Sequence, residues 1–157
     1  MKKIEKVVIT VTARQQLLEE INRAEYVETG GVLCGNYSED SLRIHSISGP
    51  GSGAHQTLTE FVADKDFIDK FIDDQYRESD GHNIYIGEWH SHPQRYPVPS
   101  SQDLESFLER TYEWTIGDIV FIIVGFVNLT QANLQDQIVA VRFDKKEKKF
   151  FYVEIVL

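Results

Sequence analysis

Residues 83–103 read NIYIGEWHSHPQRYPVPSSQD and change character twice along their length. The first seven residues, 83–89, are mostly apolar and include β-branched and aromatic side chains, which predicts a strand. Three prolines fall within residues 91–101, so this segment is predicted as an irregular loop. Apolar residues then recur at helical spacing from Leu104 to Tyr112. The stretch therefore predicts a strand, a loop and a helix in succession.

The sequence on either side predicts further strands and two more helices. Apolar residues recur at helical spacing over about 13–24, where Thr12 and Gln15 have capping-box spacing, and again over 64–78. Segment 49–59, with three glycines and one proline, is predicted as a mobile surface loop or plain connector. The other predicted strands are 4–11, 32–37, 42–48, 119–127, 137–143 and 150–156. These elements predict one mixed α/β domain over residues 1–157.

The amino-acid composition narrows the classes of molecule that the protein is expected to bind. The chain has 157 residues, with 16 Lys and Arg against 25 Asp and Glu, and a formal net charge of −9. This acidic balance argues against nucleic acid or an anionic membrane as the main partner. The single cysteine, Cys34, cannot form an internal disulfide, and the longest apolar run, 119–127, is far shorter than the ~20 residues of a membrane-spanning helix. We therefore expect a cytoplasmic protein.

His90 and His92 end the strand predicted in residues 83–89. Residues i and i+2 of a strand project to the same face, so the two imidazoles can hold one cation such as Zn²⁺. Asp103, in the first turn of the following helix, is the nearest plausible third ligand, and a fourth position would remain for water. Two simpler interpretations stay open: the histidines are solvated, and Ser100 with Asp103 forms a capping box. A capped Asp would also be a rigid ligand.

Glu28 is a candidate general base, although it lies far upstream of the histidines. It follows a predicted helix and precedes a predicted buried strand, so partial desolvation would raise its pKa towards the working range of a base. On local evidence alone, an exposed Glu at the end of a helix is the simpler interpretation.

The combination of these residues resembles the JAMM signature of the JAB/MPN metalloprotease family. Glu28-Thr29-Gly30-Gly31-Val32-Leu33-Cys34-Gly35 is followed by Gly87-Glu88-Trp89-His90-Ser91-His92-Pro93. Six residues separate Pro93 from Ser100, and two more separate Ser100 from Asp103. Each element has the family's spacing, and the predicted order of helices and strands resembles a minimal JAB domain over nearly the whole chain.

The resemblance implies a fold, a cofactor and a role for each residue of the motif. The fold would be a single JAB/MPN domain, similar to cytidine deaminases, with a mixed sheet and about three helices. Zn²⁺ would be held by His90, His92 and Asp103. Glu28 would act as general acid and base, and Ser100 would stabilise the oxyanion of the tetrahedral intermediate. The activity would be that of a zinc metalloprotease or isopeptidase.

In its small size and in the sequence around His90 and Gly51, the chain looks most like prokaryotic JAB proteins associated with ubiquitin-activating-like and ubiquitin-conjugating-like enzymes. This resemblance implies cleavage of the amide after the carboxyl terminus of a conjugated protein. That protein would be ubiquitin-like, or the nucleotidyltransferase (CD-NTase) sensor of an antiphage CBASS operon. Tyr96, Gly51 and Gly53 are candidate contacts for the extended tail of this substrate.

Four alternatives remain. Within the enzyme class, a peptidase that matures a sulfur-carrier or bacterial ubiquitin-like protein would use the same residues. A thiol hydrolase would need Cys34 as its nucleophile, but this residue lies in an apolar run that predicts the core. Two His and one carboxylate also suit the Fe²⁺ of an oxygenase, though the order of the ligands is unusual for that class. A scaffold without catalysis is disfavoured because every motif residue is present.

Overall fold

The computed structural model describes residues 3–94 and 96–157, and its main feature is a closed barrel of seven strands. The strands follow the order β1-β3-β2-β6-β7-β8-β9, and β9 closes the barrel by pairing in parallel with β1. The barrel strands are β1 (Lys6–Ile9), β2 (Gly30–Ser38), β3 (Ser41–Ile47), β6 (Ile84–His92), β7 (Val120–Gly125), β8 (Ile138–Asp144) and β9 (Lys149–Val156).

Three helices and a small hairpin complete the fold. The helices are α1 (Val11–Ala24), α2 (Lys65–Glu78) and α3 (Ser101–Glu113), and a 3₁₀ turn covers Leu134–Gln137. The mixed α/β class with three helices is thereby confirmed. No helix within the described residues combines the length and apolar composition that crossing a membrane requires.

Two details of the sequence prediction were wrong. Helix α1 is capped by Thr10, whose side chain accepts a hydrogen bond from the Ala13 amide, and not by Thr12. Strand β1 ends one residue before Thr10, so the chain already turns there and Thr12 lies inside the helix. Segment 49–59 is also more than a loop, because β4 (His55–Gln56) pairs with β5 (Phe61–Val62) in an antiparallel hairpin.

Two hydrophobic clusters hold the elements together. The larger lies between α1 and one side of the sheet and includes Leu17, Ile44 and Trp89. Trp89 is fully buried, and its indole N–H donates to the carbonyl of Ser48 at 3.0 Å. The smaller cluster joins α3 to the other face of the sheet through Phe107 and Phe121. Because both clusters contact the central strands, the sheet gives α3 a fixed position.

A bulge at Gly87 interrupts the regular alternation of side chains between the two faces of β6. Ile86 and Trp89 are three residues apart, yet both belong to the larger cluster. The pairing with β2 slips at this point, so that Leu33 faces Gly87 and Cys34 faces Tyr85. Gly87 has φ +150°, and a Cβ there would lie 2.0 Å from the carbonyl oxygen of Val120. Glycine at this position therefore allows the bulge that turns His90 towards the smaller cluster and α3.

Candidate metal centre

Three side chains from two elements converge at the end of β6. His90 Nδ1 lies 3.4 Å from Asp103 Oδ1, and His92 Nε2 lies 3.0 Å from Asp103 Oδ2. One ligand atom from each of the three residues can be chosen so that all lie within 4.8 Å of one another. Two imidazole nitrogens and one carboxylate oxygen at this spacing form a donor set that fits a divalent cation such as Zn²⁺.

The first turn of α3 orients Asp103. Ser100 Oγ accepts the Asp103 amide hydrogen at 3.0 Å, and the Ser100 amide donates to Asp103 Oδ2 at 3.2 Å. Asp103 therefore belongs to the predicted capping box and also occupies the predicted ligand position. Partial burial acts to raise the pKa of Asp103, but hydrogen bonds to both imidazoles outweigh it and hold this pKa well below its usual range. The side chain is thus a carboxylate at neutral pH, as a metal ligand must be.

The two histidines are held in different ways. His92 is buried, and its Nε2 lies against the carboxylate of Asp103. Burial acts to lower the pKa of His92, while hydrogen bonding and the charge of Asp103 raise it above the ordinary value. The His90 ring packs edge-on between Phe61 and Phe121, at centroid distances of 4.9 and 5.0 Å. Aromatic packing therefore limits the orientation of His90.

Glu28 lies beside this cluster, although it is 62 positions before His90 in the chain. Strand β2 runs antiparallel to β6 with Gly30 opposite His90, and the Ser91 amide donates to the Thr29 carbonyl at 2.8 Å. Partial burial raises the pKa of Glu28, and the neighbouring imidazoles oppose this rise. A carboxyl group with a raised pKa next to a cation site is suited to take up and release a proton.

The predicted substrate contacts lie in two separate loops. Tyr96 is exposed, with 75% of its surface accessible, in the loop between β6 and α3. Gly51 and Gly53 lie before β4, where their loop is tied to the start of α2: the Gly53 amide donates to Asp64 Oδ2 at 3.0 Å. Gly51 also lines a cleft of about 340 Å³ that Thr29 shares. These three residues remain predictions as substrate contacts.

Cys34 lies in the core, as the sequence predicted. Its side chain is fully buried, and this burial raises the pKa of the thiol to about 12. A nucleophilic cysteine needs an accessible thiolate. The structure therefore offers no support for a thiol hydrolase built on this residue.

A barrel that brings two histidines and an aspartate together beside a glutamate has the architecture and the residue set of a JAMM-type hydrolase domain. The family model described as prokaryotic homologs of the JAB domain matches residues 10–138. The chain belongs to this prokaryotic JAB family, which confirms the family resemblance seen in the sequence.

Relatives with assigned names support the same class. A CD-NTase/cGAS isopeptidase from Escherichia coli is 31% identical over 103 residues, which cover 62% of this chain and 62% of the relative. A probable metalloprotease from Sinorhizobium fredii is 35% identical over 81 residues, covering 50% of this chain and 49% of the relative. A CD-NTase/cGAS isopeptidase from Enterobacter hormaechei is 28% identical over 123 residues, covering 76% of this chain and 67% of the relative. The chain thus spans about half to two thirds of the lengths of these relatives.

The fold also matches a solved structure. A protein from Desulfitobacterium hafniense, determined in solution, superposes with a TM-score of 0.68 at 18% identity, covering 96% of this chain and 92% of that one. At this level of identity the likeness concerns the fold alone.

Proposed function

We propose that this protein is a zinc-dependent isopeptidase that hydrolyses the amide bond after the carboxyl terminus of a conjugated protein. The observation that carries the proposal is the meeting of His90, His92, Asp103 and Glu28 at one end of β6. Glu28 lies more than 60 positions from the other three residues in sequence, so local capping or packing does not account for its place beside them.

In this proposal His90, His92 and Asp103 hold the zinc ion. Bound zinc would supply Lewis acidity, which polarises a carbonyl and lowers the pKa of water to roughly 7. Glu28 takes a proton from the attacking water and passes it to the nitrogen of the leaving amine. The carboxylate suits both steps because burial raises its pKa while the imidazoles keep it ionisable.

Ser100 has a supporting role in the proposed reaction. The capping box uses Ser100 Oγ as an acceptor, so its O–H can still donate to the oxyanion of the tetrahedral intermediate. Loss of one such donor typically reduces the rate by roughly 10²- to 10³-fold. We expect Ser100 to matter less than the three ligands.

The proposed substrate is a CD-NTase, or a ubiquitin-like protein, conjugated through an extended carboxyl-terminal tail. Relatives from three bacteria carry the name CD-NTase/cGAS isopeptidase, which favours the CD-NTase and an antiphage CBASS setting. Tyr96, Gly51 and Gly53 are the proposed contacts for the tail, which would bind in extended form. Ubiquitin-activating-like and ubiquitin-conjugating-like enzymes would form the conjugate, and we propose that the reaction takes place in the bacterial cytoplasm.

A cleavage assay tests this proposal. Zinc-loaded protein would be incubated with a CD-NTase that carries a carboxyl-terminal extension, in parallel with ubiquitin-like and sulfur-carrier fusions of the same design. We expect cleavage after the native tail of the CD-NTase, and its loss when a chelator is added. Glu28→Gln should lower kcat by about 10²- to 10⁴-fold and retain the metal. Glu25→Gln, which alters an exposed carboxylate of the same connecting segment, is the matched control.

The other outcomes separate the alternatives. Cleavage of the sulfur-carrier fusion alone would replace the proposed substrate with the alternative one. Cleavage that persists in Glu28→Gln would refute the assigned base. Protein that binds no zinc would instead support a scaffold, and iron content with oxygen consumption would support an oxygenase.

A further inference from the structure

The β4–β5 hairpin contacts two parts of the candidate metal centre at once. Its strands are only two residues long, yet the turn between them is well bonded: the Thr57 amide donates to the Glu60 carbonyl at 2.9 Å. The Glu60 amide in turn donates to Thr57 Oγ1 at 3.0 Å. These bonds make the hairpin a defined unit beside the site.

One contact joins Phe61 to His90. The two rings meet edge to face, with centroids 4.9 Å apart and an interplanar angle of 79°. On its other side His90 meets Phe121, a fully buried residue of β7, at 5.0 Å and 88°. Phe121 belongs to the core, whereas Phe61 comes from the hairpin. The orientation of this imidazole therefore depends on the hairpin as well as on the barrel.

Gly30 leaves the space that this contact needs. A Cβ at Gly30 would lie 2.6 Å from a ring carbon of Phe61 and 2.9 Å from a ring carbon of His90. It would also lie 2.4 Å from the carbonyl oxygen of Trp89. The absence of a side chain at Gly30 thus lets the Phe61 ring approach the imidazole across β2.

The second contact joins the hairpin to Glu28. The Glu28 amide donates to the carbonyl of Thr57 at 2.8 Å, and the side-chain amide of Gln56 donates to the Glu28 carbonyl at 3.3 Å. Both backbone groups of the proposed base are therefore bonded to the hairpin, while the carboxyl group of Glu28 lies near enough to the histidines and Asp103 for their charges to act on its pKa.

We infer that the β4–β5 hairpin is a positioning element of the site, in which Phe61 orients His90 for metal binding and Gln56 holds the backbone of Glu28. The inference rests on the proposed function for the roles of His90 and Glu28. Phe61 and Gln56 act through these residues and are positioning residues. They are expected to affect different steps, since one supports a ligand and the other a base.

Zinc affinity tests the role of Phe61. Competition with a chelator of known affinity would be measured for the wild type, Phe61→Ala, Phe61→Tyr and Val62→Ala. Phe61→Ala should bind zinc about tenfold more weakly, within the range for loss of groups that orient a ligand. Phe61→Tyr, which keeps the ring, should restore the affinity. Val62→Ala, an exposed neighbour on the same strand, should match the wild type.

The result that would overturn the role of Phe61 is wild-type zinc affinity in a folded Phe61→Ala variant, or an equal loss in Val62→Ala. Circular dichroism of each metal-free variant shows whether it is folded. If the wild type itself binds no zinc, the proposed function fails, and the His90 ring resonances of metal-free protein decide the inference separately. We expect them to move and broaden in Phe61→Ala but not in Val62→Ala, and unchanged resonances would refute it.

Steady-state kinetics test the role of Gln56. Gln56→Ala should leave zinc affinity and KM unchanged and lower kcat between about tenfold and 10²-fold, because a small displacement of the base slows proton transfer. His55→Ala, which removes an exposed side chain whose Nε2 lies 3.4 Å from Glu60 Oε2, is the matched control. Unchanged kcat in Gln56→Ala, or an equal fall in His55→Ala, would refute this part of the inference.

Discussion

Two aspartates at separate places in the fold have much in common and differ in their partners. Asp103 lies at the candidate metal centre, and Asp144 ends β8. Both side chains are largely buried, and both have basic groups nearby. For Asp144, hydrogen bonds from the Glu147 amide and from Lys3 hold the pKa well below its usual range. The pKa of Asp103 is also low, so this property does not distinguish the two sites.

The partners do distinguish them. Asp144 Oδ2 lies 3.0 Å from Lys3 Nζ and 3.5 Å from an Arg142 nitrogen, and Oδ1 accepts two backbone amides at 2.9 Å. Lysine and arginine keep their charge throughout the physiological range, so Asp144 is already neutralised by the protein. Asp103 instead faces two imidazoles, which can give up their protons and bind a metal. A low pKa marks a carboxylate with hydrogen-bonding or basic partners, whereas partners that can themselves coordinate a metal mark a candidate metal site.

Substituting each aspartate by asparagine tests this difference with the largest expected effect. Asp103→Asn should abolish stoichiometric zinc binding and cleavage, because it removes the only anionic ligand of the cluster. Asp144→Asn should bind zinc as the wild type does. Zinc content after gel filtration and cleavage rates provide the measurement. Equal zinc binding by both variants would contradict the assignment of the metal centre.

Ser100 allows stability and catalysis to be separated within the metal centre. Ser100→Ala should lower the free energy of unfolding by about 1 kcal/mol through loss of the N-cap. It should also slow cleavage by roughly 10²- to 10³-fold. Ser100→Gly should lower the free energy of unfolding by only a few tenths of a kcal/mol, because glycine is tolerated as an N-cap. It should nevertheless cleave the substrate as slowly as Ser100→Ala.

Chemical denaturation and single-turnover rates measure the two effects at Ser100. Ser101→Ala, at the next position of α3, should change neither quantity appreciably. Recovery of activity in Ser100→Gly would show that the serine acts only through the helix cap.

Acid stability gives the smallest effect and concerns Asp144 alone. Its pKa is lower in the folded state than in the unfolded chain, so its contribution to stability is complete above about pH 4 and is lost as the pH falls further. Asp144→Asn should therefore melt at a lower temperature near neutral pH, and this difference should shrink in acid. Thermal melts of metal-free protein across this range make the test. A constant difference between the two proteins at every pH would contradict the electrostatic explanation.

Local signals in the sequence predicted one part of the metal centre well. The Ser100 and Asp103 capping box depends on residues three apart, and its spacing is visible without the fold. Helical and strand periodicity likewise predicted α2, α3 and the buried β7. These features could be predicted because neighbouring residues determine them.

Features that depend on distant contacts were not available from local patterns. The approach of Glu28 to the histidines was expected only from the family motif, since the strand pairing that produces it joins residues about 60 positions apart. Phe61 and Gln56 were missed because strands of two residues have no measurable period. The bulge at Gly87 was also missed, because a single glycine in a strand does not reveal that a carbonyl of the neighbouring strand lies too close for a side chain.

The parallel pairing of β1 with β9 has a consequence for how the chain folds. Lys6 pairs with Glu154, and Arg142 donates to the carbonyl of Ile4 at 3.0 Å, so closure of the barrel joins residues nearly 150 positions apart. Contacts this distant in sequence are slow to form because they close the longest loops. During synthesis β1 can pair with β3 early, but its other edge must wait for β9, while β2, β6 and β7 can already pair around the candidate metal centre. Folding should therefore assemble the ligand-bearing strands first and close the barrel last.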